Sequence, residues 1–167
     1  MNNKTKLIVL NGLMVAFVCV ATMVIQIPSP LKGYINLGDC VVLMAGWMLS
    51  PAYAFLAAGL GSALADIFSG YVIYAPATFV IKGLMAVIAF YGFRLLNKKL
   101  NKTLSRIGSG ISAEFVMVLG YFIFEGFLYG FIPSLVNVPA NSIQGIAGIV
   151  VGVILINVFK KTRINIE

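Results

Sequence analysis

The sequence contains no histidine, only five acidic residues and two cysteines in 167 positions. The missing histidine removes the commonest general base and metal ligand. Charged residues make up 10% of the chain, against about 25% in a soluble globular domain. That deficit excludes an ordinary soluble enzyme, whose surface needs far more charge. Cys19 and Cys40 form no CxxC pair and border or occupy apolar runs, which argues against a disulfide framework or a thiol redox motif. There is no P-loop, HExxH motif, paired catalytic carboxylate motif or GxSxG elbow. An arginine-rich voltage-sensing helix and a filter-like sequence are also missing. Nothing here reads as an enzyme, and no cofactor or metal is called for.

What is present is apolar. Sixty per cent of the residues are hydrophobic and the mean hydropathy is +1.01, which excludes disorder. The class that remains is an all-α membrane protein. Six runs are expected to be spans: residues 7–27, 39–49, 51–68, 76–96, 107–131 and 140–159. Proline or glycine punctuates most of the breaks between them, at Pro28, Pro30, Pro51, Pro76, Pro133 and Pro139. The whole chain, 1–167, therefore reads as one domain, a compact bundle of six transmembrane helices.

Ten of the twelve basic residues fall in three clusters beside these runs. They are Lys4 and Lys6; Arg94, Lys98, Lys99, Lys102 and Arg106; and Lys160, Lys161 and Arg163. An even number of spans puts all three clusters on one face. The positive-inside rule makes that face cytoplasmic, with both termini inside. The net charge of +7 is thus a topology signal. No basic face carries interleaved exposed aromatics, so nucleic acid is not an expected partner.

Ionisable groups inside spans are candidates for function. Lys82 and Glu125 each lie about six residues from the outer end of a span, roughly 9 Å deep at 1.5 Å per residue. They either form an ion pair that fixes helix register or line a polar cavity. Asp39 opens the second span and either caps it or faces the same cavity. Asp66 lies near the outer end of the third. Asn141 and Gln144 are three apart and so share a helix face. Tyr34, Tyr71, Tyr74, Tyr121 and Tyr129 also gather in the outer half, as an aromatic belt or as cavity walls. The inner half has only Glu114, Asn11 and Asn157. This asymmetry suggests a small-molecule cavity open to the outside. Small residues four apart, Gly12 with Ala16 and Gly148 with Gly152, allow close helix approach. In the first span such a pair suits a partner in the membrane.

These residues resemble a known family. Residues 33–39 (GYINLGD), Gly46 and Ser50-Pro51 are similar to the first loop and second helix of the substrate-binding S components of energy-coupling factor (ECF) vitamin transporters. Residues 57–70 (AAGLGSALADIFSG), 75–83 (APATFVIKG) and 141–145 (NSIQG) resemble their third, fourth and sixth helices. The similarity runs in order along nearly the whole chain. It implies a multi-pass subunit of the bacterial plasma membrane that captures a vitamin outside and docks on a transmembrane coupling subunit with two ATPases. The subunit would then topple to release its cargo inside. The family's alanine-x-x-x-alanine docking motif matches Gly12 and Ala16, with glycine in place of the first alanine.

In style the sequence is closest to members for pyridoxine-type compounds or hydroxymethylpyrimidine. Riboflavin and pantothenate remain open. Cationic thiamine would be favoured by Glu125 and opposed by Lys82. A ligand-free membrane scaffold is the alternative from another class. The residues expected to hold the vitamin are Tyr34, Asn36, Asp39, Asp66, Tyr74, Lys82, Glu125, Asn141 and Gln144, with the loop 29–38 as a lid.

Overall fold

Each expected apolar run is helical in the computed structural model, which describes residues 3–161. The helices are α1 (Asn3–Val24), α2 (Gly38–Met48), α3 (Pro51–Phe68), α4 (Ala75–Leu96) and α5 (Lys102–Tyr129). A short turn of helix, α6 (Phe131–Ser134), and a 3-10 turn (Leu135–Asn137) then lead into α7 (Val138–Lys161). Arg163 lies outside the described residues, as do the side chains of Lys4, Lys6, Lys160 and Lys161.

Two boundaries differ from expectation. The first helix ends at Val24, because residues 26–28 form a strand, β1 (Gln26–Pro28), paired antiparallel with β2 (Tyr34–Asn36). The segment expected as a plain loop is therefore a two-stranded ribbon. Its turn is closed by Ser29 N–H donating to the Gly33 carbonyl at 3.1 Å. Gly33 has φ +125°, a conformation that glycine adopts without steric cost. The fifth helix starts five residues before Ile107. Asn101 caps it by accepting from Leu104 N–H at 2.9 Å, so the polar stretch that reads as a loop is already helical.

Five helices, or helix pairs in the case of α6 with α7, are long and apolar enough to cross a membrane. The exception is α2, whose 11 residues reach about 16 Å. It stops where Leu49 turns extended before Ser50 and Pro51. This short helix is the axis of the bundle. Residues Gly38 to Gly46 are all buried, and α2 touches α1, α3, α4, α5 and α7. A helix apolar on every face belongs in such a position.

Small residues bring the surrounding helices close. A Cβ placed on Gly46 would lie 2.5 Å from the Ala86 carbonyl oxygen, and one on Gly61 would lie 2.6 Å from that of Val15. We expect Gly46→Ala to force α2 from α4 and to destabilise the fold by about 1–3 kcal/mol. A thermal melt of the purified variant measures this, and an unchanged midpoint would mean that the helices are not in close contact.

On α1 the pattern reverses. Gly12 and Ala16 are exposed, and a Cβ on Gly12 would meet nothing within 4 Å. The face they share is flanked by exposed Leu13, Phe17 and Val20. The two small residues therefore do not serve packing within the bundle.

Candidate functional site

The polar residues collect at one end of the bundle, where the ribbon crosses over the start of α4, the end of α5 and the start of α7. They form three layers: a tethered roof, a cavity and a charged floor.

The roof is the ribbon. Gln26 Nε2 donates to Ser69 Oγ (2.8 Å), Leu31 N–H to Asn137 Oδ1 (3.2 Å) and Asn36 N–H to Gln144 Oε1 (2.8 Å). Tyr74 donates its hydroxyl to the Lys32 carbonyl. Tyr34 donates to Asp66 Oδ1 at 2.6 Å. Burial, reinforced by the Asp66 carboxylate, pushes the Tyr34 phenol well above its ordinary value. Burial does the same for Tyr74. Both phenols therefore stay protonated as donors. The ribbon is thus tied to α3, α4, α7 and the turn before α7.

Beneath it lies a small cavity of about 30 Å³. Tyr34, Tyr71, Tyr74 and Tyr121 supply aromatic wall. The Tyr34 and Tyr71 ring centres are 4.8 Å apart, and those of Tyr71 and Tyr74 6.3 Å. Asn36, Thr78, Asn141 and Gln144 supply amide and hydroxyl groups, and Asp66 and Glu125 supply carboxylates. Of the nine residues singled out from sequence, seven line this space: Tyr34, Asn36, Asp66, Tyr74, Glu125, Asn141 and Gln144.

Each carboxylate is held by one oxygen and leaves the other open. Asp66 Oδ1 accepts from Tyr34. Glu125 Oε1 accepts from Asn137 Nδ2 at 2.9 Å, and the Tyr74 hydroxyl, whose proton goes to the Lys32 carbonyl, lies 3.4 Å from it. Asp66 Oδ2 and Glu125 Oε2 are buried and have no hydrogen-bond partner among the described residues.

The other two residues, Asp39 and Lys82, make the floor. An ion pair between Lys82 and Glu125 does not form. Lys82 Nζ instead bonds Asp39 Oδ1, and its ammonium lies 5.5 Å from the centre of the Tyr121 ring. Asp39 Oδ2 accepts from Gln144 Nε2 at 2.6 Å. The central position of α2 causes this correction: it sets Asp39 against α4 and α7, while Glu125 is taken by the turn before α7. Asp39 does not cap α2 either. The residue before the helix is Leu37 with no side-chain cap, and Asn36 Oδ1 accepts from Gly38 N–H instead.

Sequence reasoning missed Asn137 and Thr78. Asn137 is 2% exposed and joins Leu31 in the ribbon to Glu125 in the wall. Thr78 bonds the Tyr121 hydroxyl at 3.0 Å. It precedes Lys82 by four residues, so helical spacing would have found it; no pattern marks Asn137. We expect Asn137→Ala to free both partners and to raise the ligand off-rate about tenfold, since a hydrogen bond to a charged group contributes about 1.5–3 kcal/mol. Dissociation kinetics in detergent measure this, and an unchanged off-rate would mean that the Asn137 link does not hold the ribbon over the cavity.

Comparison with known proteins follows the same lines. Residues 2–161 match the family model described as ECF-type riboflavin transporter, S component. An uncharacterized protein of Pyrococcus woesei is 35% identical over 136 residues, 81% of this chain and 88% of that protein. Two solved structures share the fold. One, described as the S component of a bacterial ECF transporter, superposes with a TM-score of 0.77 at 24% identity, covering 96% of this chain and 98% of that one. The other, the S component for biotin from an ECF-type ABC transporter, has a TM-score of 0.54 at 22% identity, covering 94% and 95%.

Proposed function

We propose that this chain, which belongs to the family of S components of ECF-type riboflavin transporters, captures a small vitamin ring in the cavity under the ribbon. S components are membrane-embedded transporter subunits and not enzymes. The observation that carries the reading is the combination of tyrosine walls with two half-open carboxylates in one tethered cavity. Aromatic faces hold a flat ring, and open carboxylate oxygens accept from hydroxyl or amino groups on it. In this reading Tyr34, Asn36, Asp66, Tyr74, Glu125, Asn141 and Gln144 contact the ligand. Asp39 and Lys82 position Gln144 and Tyr121 from below.

The ribbon end faces outward, and α2 with the ribbon before it makes the sixth crossing. The termini and the basic 97–106 stretch then face the cytoplasm. Gly12 and Ala16 form the docking face for the coupling subunit, whose two ATPases supply the energy for toppling and release.

The cavity is small, about 30 Å³ in this structure, against about 300–1,000 Å³ for sites that hold drug-sized ligands. That favours single rings such as pyridoxine-type compounds or hydroxymethylpyrimidine, admitted when the ribbon lifts. Riboflavin, named in the family's description, is the second reading, favoured by the match over residues 2–161. A melt of the purified chain against a vitamin panel tests the proposal. A ligand at 100 times its Kd should add about 2.7 kcal/mol to the stability of the folded chain. Failure of every vitamin to raise the midpoint would favour the ligand-free scaffold.

A further inference from the structure

We propose that the ligand carries a positive charge or an exocyclic amino group on its ring, so that the site selects amino-bearing or cationic rings over their oxo, neutral and phosphorylated counterparts. This rests on the outer-cavity reading and specifies its substrate class.

The first observation is charge. Four of the five acidic residues are buried in the bundle: Asp39, Asp66, Glu114 and Glu125, all at most 5% exposed. Two cations are buried among the described residues: Lys82, bonded to Asp39 in the floor, and Arg106, bonded to Asn157 at the other end of the bundle. Among the described residues no lysine or arginine lines the cavity, while Asp66 and Glu125 both do. Lys32 is exposed and borders an adjoining cleft, on the far side of Ser29, Gly33, Tyr71 and Tyr74, which line both spaces. The repulsion that Lys82 would exert on a cation is therefore offset by Asp39, and the two carboxyl groups of the cavity face no basic side chain among the described residues.

The second observation is unmet bonding. Asp66 Oδ2 and Glu125 Oε2 are both buried without a hydrogen-bond partner among the described residues, while their sister oxygens accept from Tyr34 and Asn137. A carboxyl oxygen buried without a hydrogen-bond partner is costly. An N–H of the ligand meets that need and an added acceptor does not.

The third observation is the wall. Tyr34, Tyr71 and Tyr74 stand in a chain of ring contacts. Tyrosine faces attract cations within about 6 Å of the ring centre. A ring bearing phosphate would bring two further negative charges against Asp66 and Glu125, with no lysine or arginine lining the cavity to receive them.

The test is isothermal titration of the detergent-purified full chain. The matched pair is 4-amino-5-hydroxymethyl-2-methylpyrimidine and its 4-oxo analogue, run beside thiamine, riboflavin and pyridoxal phosphate. At least about a tenfold preference for the amino over the oxo compound is expected, equivalent to about 1.4 kcal/mol. Pyridoxal phosphate should not bind. Asp66→Asn and Glu125→Gln, each checked by its melt, should reduce that preference, and either variant suffices if the other fails to fold. Equal binding of amino and oxo compounds, or binding of riboflavin alone, overturns the charge selection and leaves the vitamin-binding reading standing. A folded chain that binds nothing in the panel overturns both.

Discussion

Lys82→Met should destabilise the folded chain by about 3–5 kcal/mol, the cost of stranding one member of a buried ion pair. Lys82 is 2% exposed and Asp39 is fully buried. Without the ammonium, the Asp39 carboxylate would keep only the Gln144 amide as a side-chain donor and would face Glu114 nearby. Glu114 itself has two buried oxygens with no partner among the described residues. The neutral pair Lys82→Met with Asp39→Asn should recover most of the loss, because removing both charges avoids the desolvation that removing one exposes. Glu125→Gln combined with Lys82→Met should give no rescue. Melts of the single and double variants separate these cases. Rescue through Glu125 and none through Asp39 would show that the pairing described for the floor is wrong.

Gly12→Leu and Ala16→Leu should leave ligand affinity unchanged and reduce uptake by cells about tenfold or more. Both positions face away from the bundle, so a leucine there disturbs no contact within the fold. A bulky side chain does prevent another helix from approaching a small-residue face. Stability should stay within about 0.5 kcal/mol, as for surface substitutions. Normal uptake with both variants would move the docking face elsewhere. Lost binding would mean that α1 shapes the cavity.

The helices were readable because membrane spans announce themselves by length and apolarity. The cavity's main residues were readable because ionisable and amide groups are rare in such spans, so Asp66, Glu125, Asn141 and Gln144 stand out. Pairing was not readable. Lys82 and Glu125 lie at matched depths on consecutive helices, but depth along two helices says nothing about a third helix inserted between others. The short α2 brings Asp39 to Lys82, and its burial on all sides emerges only from packing. The ribbon was hidden for a different reason. Three-residue strands carry almost no periodic signal, and Pro28 and Pro30 read as breakers. Asn137 had no signal at all, being a lone amide between two prolines whose partners are 106 and 12 residues away.

The central claim is that the cavity beneath the ribbon holds a vitamin-type ring. Native mass spectrometry of the gently purified chain tests it most directly, with wild type compared against the Asp66→Asn, Glu125→Gln double variant. Wild type should carry an adduct of the mass of a small vitamin ring, released on activation and absent or strongly reduced in the folded double variant. Retention of the same adduct by the double variant would place the ligand outside this cavity. A wild-type chain that acquires no adduct even after incubation with the vitamin panel would contradict the claim itself.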